Sequence, residues 1–255
     1  MNKHLEKIDA LLADLKKAKR VLVITGAGIS ADSGLPTYRG VAGLYNEGLT
    51  EEGLRIEDCL SGAVFQKYPE ITWKYLWQIA ENCRKAKPNR AHEIISAWQN
   101  RFERLLVFTQ NIDDLHRRAG SKDLIEVHGN FKTLHCTRCA WASPLDLNEL
   151  SQDKLPPKCP KCGAVARVPV VLFGEMLPED AIYNFSKAWE EGFDMVFVIG
   201  TTCSFPYIAQ PVLMAAQSGL PTVEINLDST PVTPFVRHHV AIPAAQALEK
   251  INALL

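Results

Sequence analysis

The feature that most constrains this chain is the stretch Val21–Gly40, VLVITGAGISADSGLPTYRG. It opens with the apolar run Val21–Ile24, which is typical of a buried parallel strand. The turn that follows matches the dinucleotide-binding pattern G-x-G-x-x-G/A from Gly26 to Ala31. A strand, a glycine turn and a helix start gather backbone N–H groups and the positive end of a helix dipole at one point. The stretch therefore predicts a phosphate-binding turn, although the glycine pattern by itself also fits an ordinary tight turn.

Strand and helix patterns alternate along the rest of the chain. Further buried strands are predicted at Arg104–Thr109, Leu124–Val127, Val168–Leu172, Met195–Ile199 and Thr222–Ile225. Helical periodicity predicts helices at Ile71–Lys85, Ala91–Arg101, Glu179–Glu190, Ile208–Ser218 and Pro243–Leu254. This alternation predicts an α/β fold with a doubly wound parallel Rossmann-like sheet and a small zinc-ribbon plus helical second domain.

The chain is expected to divide into three parts. Residues 1–40, 86–132 and 166–255 are assigned to the sheet domain, which carries the glycine turn. Residues 41–85 are assigned to a cofactor loop and a helical module, because periodicity is lost directly after the turn. The polar, Cys- and Pro-rich segment 133–165 is assigned to a zinc-ribbon module.

Length and composition exclude several classes of protein. A chain of 255 residues with 47% hydrophobic content can bury one sizeable core and a lesser module. The net charge of −1 argues against direct binding to nucleic acid or to a membrane surface. No apolar run reaches the ~18 residues of a membrane span, and the amphipathic N-terminus has no signal-peptide core. We expect a cytoplasmic protein and favour a monomer.

Four of the seven cysteines form two C-x-x-C pairs that are 19 residues apart. This spacing is typical of a zinc ribbon with four thiolate ligands. Because four protein ligands leave no position for water, the predicted Zn²⁺ is structural. A ribbon that binds DNA is the alternative, but the basic residues of the insert are not interleaved with aromatic ones. The predicted ligands are Cys136, Cys139, Cys159 and Cys162.

Polar side chains follow the predicted strands at their carboxyl ends, which is the edge where open α/β sheets bind ligands. Asn111 and Asp113 lie after one such strand and offer a donor and an acceptor to a carboxamide. His128 follows the next strand and has the chemistry of a base near neutral pH. By themselves the residues leave open that Asn111 and Asp113 cap a helix and that His128 is structural. At the first turn, side-chain oxygens that can cap the helix start belong to Ser30, Asp32 and Ser33.

Six segments resemble the motifs of bacterial-type sirtuins, the NAD-dependent protein deacylases. They are GAGISADSGLPTYRG (26–40), TQNIDDLHRRAG (109–120), EVHGNFKTLHCTRC (126–139), VVLFGEMLPE (170–179), GTTCSFPYIA (200–209) and VEINLDSTP (223–231). They occur in the family's order from about Arg20 to the C-terminus. The resemblance implies NAD as cofactor, acylated-lysine proteins as substrates, and release of nicotinamide and O-acyl-ADP-ribose.

The resemblance also implies a role for each matching residue. His128 is implied as the general base, with Asn111 as a second catalytic residue. The residues implied in NAD binding are Gly26, Ala27, Gly28, Ser30, Tyr38, Arg39, Gln110, Asn111, Ile112, Asp113, Gly200, Thr201, Thr202, Asn226 and Ala244. An extended substrate peptide is implied to pair with the backbone of Val170, Val171, Phe173 and Gly174.

The helix after the cofactor loop carries a clue to the acyl group. Some sirtuins that remove acidic acyl groups have a Tyr and an Arg three and six residues after a tryptophan on this helix. Here Trp73 fixes the register and places Leu76 and Ile79 at those positions. Neither side chain can form an ion pair or a hydrogen bond with a buried carboxylate. Burying a carboxylate without such a partner costs on the order of several kcal/mol of free energy. We expect a deacetylase that extends to longer apolar chains and does not favour succinyl, unless both residues merely belong to the core.

The sequence departs from the family pattern at two points after the second glycine turn. Thr202 replaces the usual Ser, and the segment to Pro206 is one residue shorter than is common. Because a hydroxyl and the glycine remain, we expect NAD binding to survive.

Three other functions remain open. The first alternative function is a mono-ADP-ribosyltransferase on the same scaffold. An NAD hydrolase and a non-catalytic zinc and nucleotide-binding module are the others.

Overall fold

The computed structural model describes residues 10–36, 48–148 and 150–255. Its strands, numbered along the chain, are β1 (Arg20–Thr25), β2 (Arg104–Thr109), β3 (Leu124–Glu126), β4 (Thr133–Cys136), β5 (Ala142–Pro144), β6 (Ala166–Arg167), β7 (Met195–Ile199), β8 (Thr222–Ile225) and β9 (His238–Val240). Six of them form a parallel sheet in the order β3-β2-β1-β7-β8-β9. Counting only the strands of this sheet, the order is 3-2-1-4-5-6, as in doubly wound dinucleotide-binding folds. The predicted fold class is therefore confirmed.

Helices cover both faces of this sheet. The helical segments are α1 (residues 10–15), α2 (Ile56–Cys59), α3 (Gly62–Lys67), α4 (Pro69–Lys85), α5 (Arg90–Trp98), α6 (Leu115–Arg118), α7 (Glu179–Glu190), α8 (Pro206–Gln217) and α9 (Ala244–Leu254). Along β1, Val21 and Val23 pack with α1, α5 and α9, whereas Leu22 and Ile24 pack with α7 and α8. All four side chains are fully buried, which explains why the strand is a continuous apolar run.

The sequence patterns give the bounds of several elements. The segments Arg104–Thr109, Glu179–Glu190, Met195–Ile199 and Thr222–Ile225 form the strands and the helix that their patterns predict. The edge strand β9 was not predicted, because its polar residues His238 and His239 interrupt any apolar run. The sheet therefore contains a strand that the sequence did not indicate.

The prediction of a buried strand at Val168–Leu172 is wrong. The preceding pair Ala166–Arg167 forms β6 in a separate, three-stranded antiparallel sheet of order β5-β4-β6. The apolar residues Val168, Val170 and Leu172 are buried in a cluster around α4, outside the parallel sheet. Burial by this helix, and not by neighbouring strands, is what makes the segment apolar.

The small sheet and α2–α4 share one apolar cluster. Trp73 is fully buried at its centre and donates its indole N–H to the carbonyl of Ala166 at 3.0 Å. Leu134 and Leu145 of the cysteine-rich insert pack against the same cluster. Within the described ranges, no helix is both long enough and apolar enough to cross a membrane.

Candidate active site

Two glycine turns meet where the order of the parallel sheet reverses. Gly28, in the turn after β1, donates its N–H to the carbonyl of Gly200, which follows β7, at 2.8 Å. A Cβ on Gly28 would lie 2.7 Å from the Cα of Gly200, so neither backbone has room for a side chain. Gly200 itself has a φ of +60°, which favours glycine. The turns thus form a side-chain-free edge at the position where such sheets bind dinucleotides.

A cavity of about 1230 Å³ opens from these turns. It is larger than the roughly 300–1,000 Å³ of a site for one small ligand. It brings together most of the residues that the sequence predicts for the site. The predicted residues along its wall are Gly26, Ala27, Gly28, Leu76, Ile79, Gln110, Asn111, Ile112, His128, Val170, Val171, Phe173, Gly174, Gly200, Thr201, Thr202, Asn226 and Ala244. Tyr38 and Arg39 lie outside the described residues.

A smaller pocket adjoins this cavity and contains the predicted residues Ser30 and Asp113. Asp113 accepts a hydrogen bond from the hydroxyl of Ser30 at 2.7 Å and one from the N–H of Leu115 at 2.9 Å. Burial raises the pKa of the Asp113 carboxyl, and these two hydrogen bonds oppose the rise. Asn111 donates to the carbonyl of Gly26 at 3.1 Å and to the Ser30 hydroxyl at 3.3 Å. The pocket therefore presents an ordered amide and a buried carboxyl beside the first turn.

The local capping roles differ from those expected. The segment Ala27–Ser33 is a 3-10 helix whose N-cap is Gly26, so no N-cap side chain bonds its first turn. The expectation that Ser30, Asp32 and Ser33 cap this helix is therefore wrong, because Ser30 bonds across the pocket to Asp113. Asp113 does bond the first turn of α6, so it has both the capping contact and a place in the pocket.

His128 stands on the cavity wall with both ring nitrogens engaged. Its Nε2 lies 2.7 Å from the hydroxyl of Tyr207, and the ring also bonds the backbone carbonyl of Gln110. Burial lowers the pKa of His128 to about 4, while the bond to Gln110 acts in the opposite direction. At neutral pH the imidazole is therefore uncharged and able to accept a proton. The sequence analysis missed Tyr207, whose only signal was the aromatic pair of the F-P-Y segment after the second turn.

The segment 168–175 is held in place at both ends. Arg167 bonds both carboxylate oxygens of Glu175 at 2.7 and 2.9 Å and the carbonyl of Val170 at 2.8 Å. The N–H of Leu172 donates to the same Glu175 carboxylate at 2.9 Å. Toward the parallel sheet, the N–H of Val171 donates to the carbonyl of His128 at 3.0 Å. The sequence analysis gave Arg167 and Glu175 no role here, yet they hold this backbone beside His128.

The cavity is apolar where α4 lines it. Leu76 is buried and Ile79 half-buried, and both line the cavity. On the wall formed by the strand turns, Asn226 donates its side-chain amide to the carbonyl of Thr201 at 2.9 Å. Ala244, the first residue of α9, also lines the cavity. One continuous site thus combines a glycine-lined polar edge with an apolar wall.

The four cysteines of the insert form a compact cluster away from this cavity. The Sγ atoms of Cys136, Cys139, Cys159 and Cys162 all lie within 4.8 Å of one another. The pairs Cys136–Cys162 and Cys139–Cys159 are 3.4 and 3.7 Å apart, close to the ~3.8 Å edge of a tetrahedron with Zn–S bonds of ~2.3 Å. The N–H groups of Arg138 and Cys139 point at the Cys136 sulfur at 3.3 and 3.4 Å. This donor set fits a structural zinc ion.

Residues 26–205 match the model of the Sir2 family. An NAD-dependent protein deacylase 2 from Pseudomonas aeruginosa is 52% identical over 214 residues, which are 83% of this chain and 83% of that protein. The family match includes both glycine turns, His128 and the four cysteines of the insert.

Solved structures agree in fold over nearly the whole chain. A Sir2 homologue in complex with NAD is 35% identical, with a TM-score of 0.84 over 96% of this chain and 93% of that one. A Sir2 protein in complex with a deacetylated p53 peptide and 3′-O-acetyl ADP-ribose is 27% identical, with a TM-score of 0.87 over 97% of this chain and 98% of that one.

Removal of the metal is expected to unfold the cysteine-rich insert. The Cys139→Ser variant should purify with far less than one zinc ion per chain and melt at a lower temperature, because the insert depends on the metal for its fold. Metal analysis and thermal denaturation measure both effects. The matched control is Cys59→Ser, at a buried cysteine outside the cluster, which should keep its zinc. A full zinc content in Cys139→Ser would contradict the assignment.

Two fully buried histidines beneath the site predict a loss of stability in acid. Burial lowers the pKa of His92 to about 4 and that of His116 well below its ordinary value of 6.5. As the pH falls, both histidines therefore become protonated in the unfolded chain at a higher pH than in the folded chain. The free energy of unfolding then falls as the pH drops below about 6.5. For His92 alone the loss is about 2 kcal/mol between pH 6.5 and 5. Urea denaturation at several pH values should show a shallower loss for His92→Gln than for the wild type, and equal slopes would contradict this.

Proposed function

Because the chain belongs to the Sir2 family, we propose that it is an NAD-dependent protein-lysine deacylase. The observation that carries this proposal is one cavity that His128 lines together with the glycine turns and the apolar residues of α4. A cavity of this kind has room for a dinucleotide and for the acylated end of a lysine. The relatives' names favour deacylation over mono-ADP-ribosyl transfer.

The residues of the polar end fit NAD. The bare edge at Gly26, Gly28 and Gly200 would accept the phosphates, since no side chain can stand between them and the backbone. Asn111 and Asp113, buried beside the first turn, would bind the nicotinamide carboxamide. When bound, NAD would supply the ribose carbon that gives up nicotinamide to the acyl oxygen, and one water molecule would complete cleavage of the amide, so that the products are nicotinamide, free lysine and O-acyl-ADP-ribose.

The remaining cofactor contacts extend along the two turns. Thr201, Asn226 and Ala244 would form the adenosine end, while Tyr38 and Arg39 would cover the nicotinamide ribose. The full proposed NAD set comprises Gly26, Ala27, Gly28, Ser30, Tyr38, Arg39, Gln110, Asn111, Ile112, Asp113, Gly200, Thr201, Thr202, Asn226 and Ala244.

His128 is proposed as the general base. Its neutral ring can take up a proton at Nε2 from a hydroxyl in the cavity, and burial keeps it from being protonated already at pH 7. The apolar lining near Leu76 and Ile79 keeps competing water from the acyl group. With NAD bound beside the first turn, the carboxyl of Asp113 would lie in the pocket next to the ribose, where it can offset positive charge that develops during the reaction.

The substrate is proposed to be an extended, acylated peptide. The backbone at Val170, Val171, Phe173 and Gly174 borders the cavity, and Arg167 and Glu175 hold that segment rigid. A rigid segment of extended backbone can add a peptide strand through main-chain hydrogen bonds. The acylated side chain would then point toward Leu76 and Ile79. The chain's division at 41–85 and 133–165, its monomeric state and its cytoplasmic location stay predictions.

Loss of the base is the primary test of this function. His128→Ala should lower NAD-dependent deacylation of an acetyl-lysine peptide by roughly 10²–10⁴-fold, because no other group would take up the proton. Mass spectrometry of lysine peptide and O-acetyl-ADP-ribose measures the turnover. The matched control is His135→Ala, at an exposed histidine near the cysteines, which should keep the wild-type rate. Free ADP-ribose without acyl transfer, or ADP-ribosylated protein, would instead support the hydrolase or transferase alternative.

The apolar wall predicts the order of acyl groups. The wild type should deacylate acetyl- and myristoyl-lysine peptides faster than the succinyl-lysine peptide, because no side chain at Leu76 or Ile79 pairs a carboxylate. The double variant Leu76→Tyr, Ile79→Arg introduces two donors and should shift the succinyl-to-acetyl ratio of kcat/KM upward by about tenfold or more. Matched peptides that differ only in the acyl group supply the control. Equal wild-type rates for succinyl and acetyl peptides would contradict the prediction.

A further inference from the structure

The hydroxyl of Tyr207 contacts Nε2 of His128, the atom that is proposed to accept a proton. Tyr207 lies in the first turn of α8, and its hydroxyl is 2.7 Å from Nε2 of His128. Which of these two atoms donates depends on the tautomer of the ring. The proposed base needs a lone pair at Nε2, and in that tautomer Nδ1 carries the proton and the phenol of Tyr207 donates to Nε2.

The phenol is itself held in a fixed position. The ring of Tyr207 stacks on that of Phe205, with centroids 5.5 Å apart and planes 17° from parallel. His128 meets both rings edge-on, at 5.9 and 6.4 Å between centroids. Pro206 is the first residue of α8, and its restricted φ stiffens the turn that carries both aromatic rings. The phenol is therefore held by its stacked neighbour Phe205 and by the start of α8.

Without this hydroxyl, Nε2 of His128 would lose its side-chain partner. An acceptor nitrogen left without a donor in a partly buried site is unfavourable, and the ring can relieve this by rotation or by moving its proton to Nε2. Either change removes the lone pair that a base needs at Nε2.

We propose that Tyr207 is a positioning residue for the base, since its phenol holds His128 in the Nδ1–H form with the Nε2 lone pair directed into the cavity. This inference rests on the proposed role of His128. It adds a residue from α8 that no family motif quoted above assigns to the base. The hydroxyl of the substrate takes the place of the phenol at Nε2 when proton transfer begins.

The first test reads the ring directly and needs no cofactor. In protein labelled with ¹⁵N-histidine, NMR should show His128 of the wild type as the Nδ1–H tautomer at pH 7. Tyr207→Phe keeps the aromatic ring and removes only the hydroxyl, and it should shift His128 to a mixture of tautomers. The matched control is Tyr68→Phe, at an exposed tyrosine outside the cavity, which should leave the spectrum unchanged. An unaltered His128 signal in Tyr207→Phe would overturn the proposal.

The second test separates positioning from a structural role. Tyr207→Phe should lower kcat for deacylation by about tenfold, the effect of losing one hydrogen bond of about 1.4 kcal/mol, with KM for NAD nearly unchanged. In the His128→Ala background the same substitution should have no further effect, because it acts through the histidine. A tenfold loss in both backgrounds, a large rise in KM for NAD, or a faster Tyr207→Phe enzyme would each overturn it.

The failure of this inference is distinguishable from failure of the proposed function. If His128→Ala deacylates at the wild-type rate, the base assignment itself is wrong, whatever Tyr207→Phe does. If His128→Ala is inactive while Tyr207→Phe retains both kcat and the wild-type tautomer, only the role of Tyr207 is wrong. Thermal denaturation of each variant shows that the compared proteins are folded.

Discussion

The contact between two backbone turns determines where everything else in this site can lie. Strands β1 and β7 run side by side in register from Val21 and Met195 to Thr25 and Ile199, so the turns that follow them must meet. They meet closely enough that a Cβ on Gly200 would lie 2.4 Å from the backbone nitrogen of Ile29. Side chains are thereby excluded from the one point at which the sheet order reverses. The cofactor edge, the amide pocket and the base are all arranged around that point.

Much of this arrangement could be predicted because its signals are local in sequence. A strand such as Arg104–Thr109 is buried on both faces, so an apolar run of the right length marks it. The spacing of the cysteines identifies them as predicted metal ligands, because each C-x-x-C turn directs two sulfurs to one point. The parallel sheet then brings the ends of separate strands to a common edge, which places Asn111, His128 and Gly200 together without any long-range information.

The parts that could not be predicted depend on contacts between distant residues. Val168, Val170 and Leu172 alternate in burial as in a strand, but the surface that covers them is a helix about a hundred residues earlier. Sequence periodicity records burial and says nothing about the partner. Likewise, His128 and Tyr207 are 79 residues apart, and their hydrogen bond exists only because the fold brings the first turn of α8 to His128. Arg167 and Glu175 have opposite charges and a spacing that permits an ion pair. Their role is visible only in the structure, where they bond the carbonyl of Val170 and the N–H of Leu172.

The hydrogen bond between Trp73 and Ala166 is a direct link between the cysteine-bearing sheet and the helix that lines the cavity, within the apolar cluster that both share. Ala166 pairs in the small sheet with Cys136, which is one of the four cysteines. Trp73 stands one helical turn before Leu76, which lines the cavity. If Leu76 contacts the acyl group as proposed, the metal module helps to shape a site that none of the four cysteines lines.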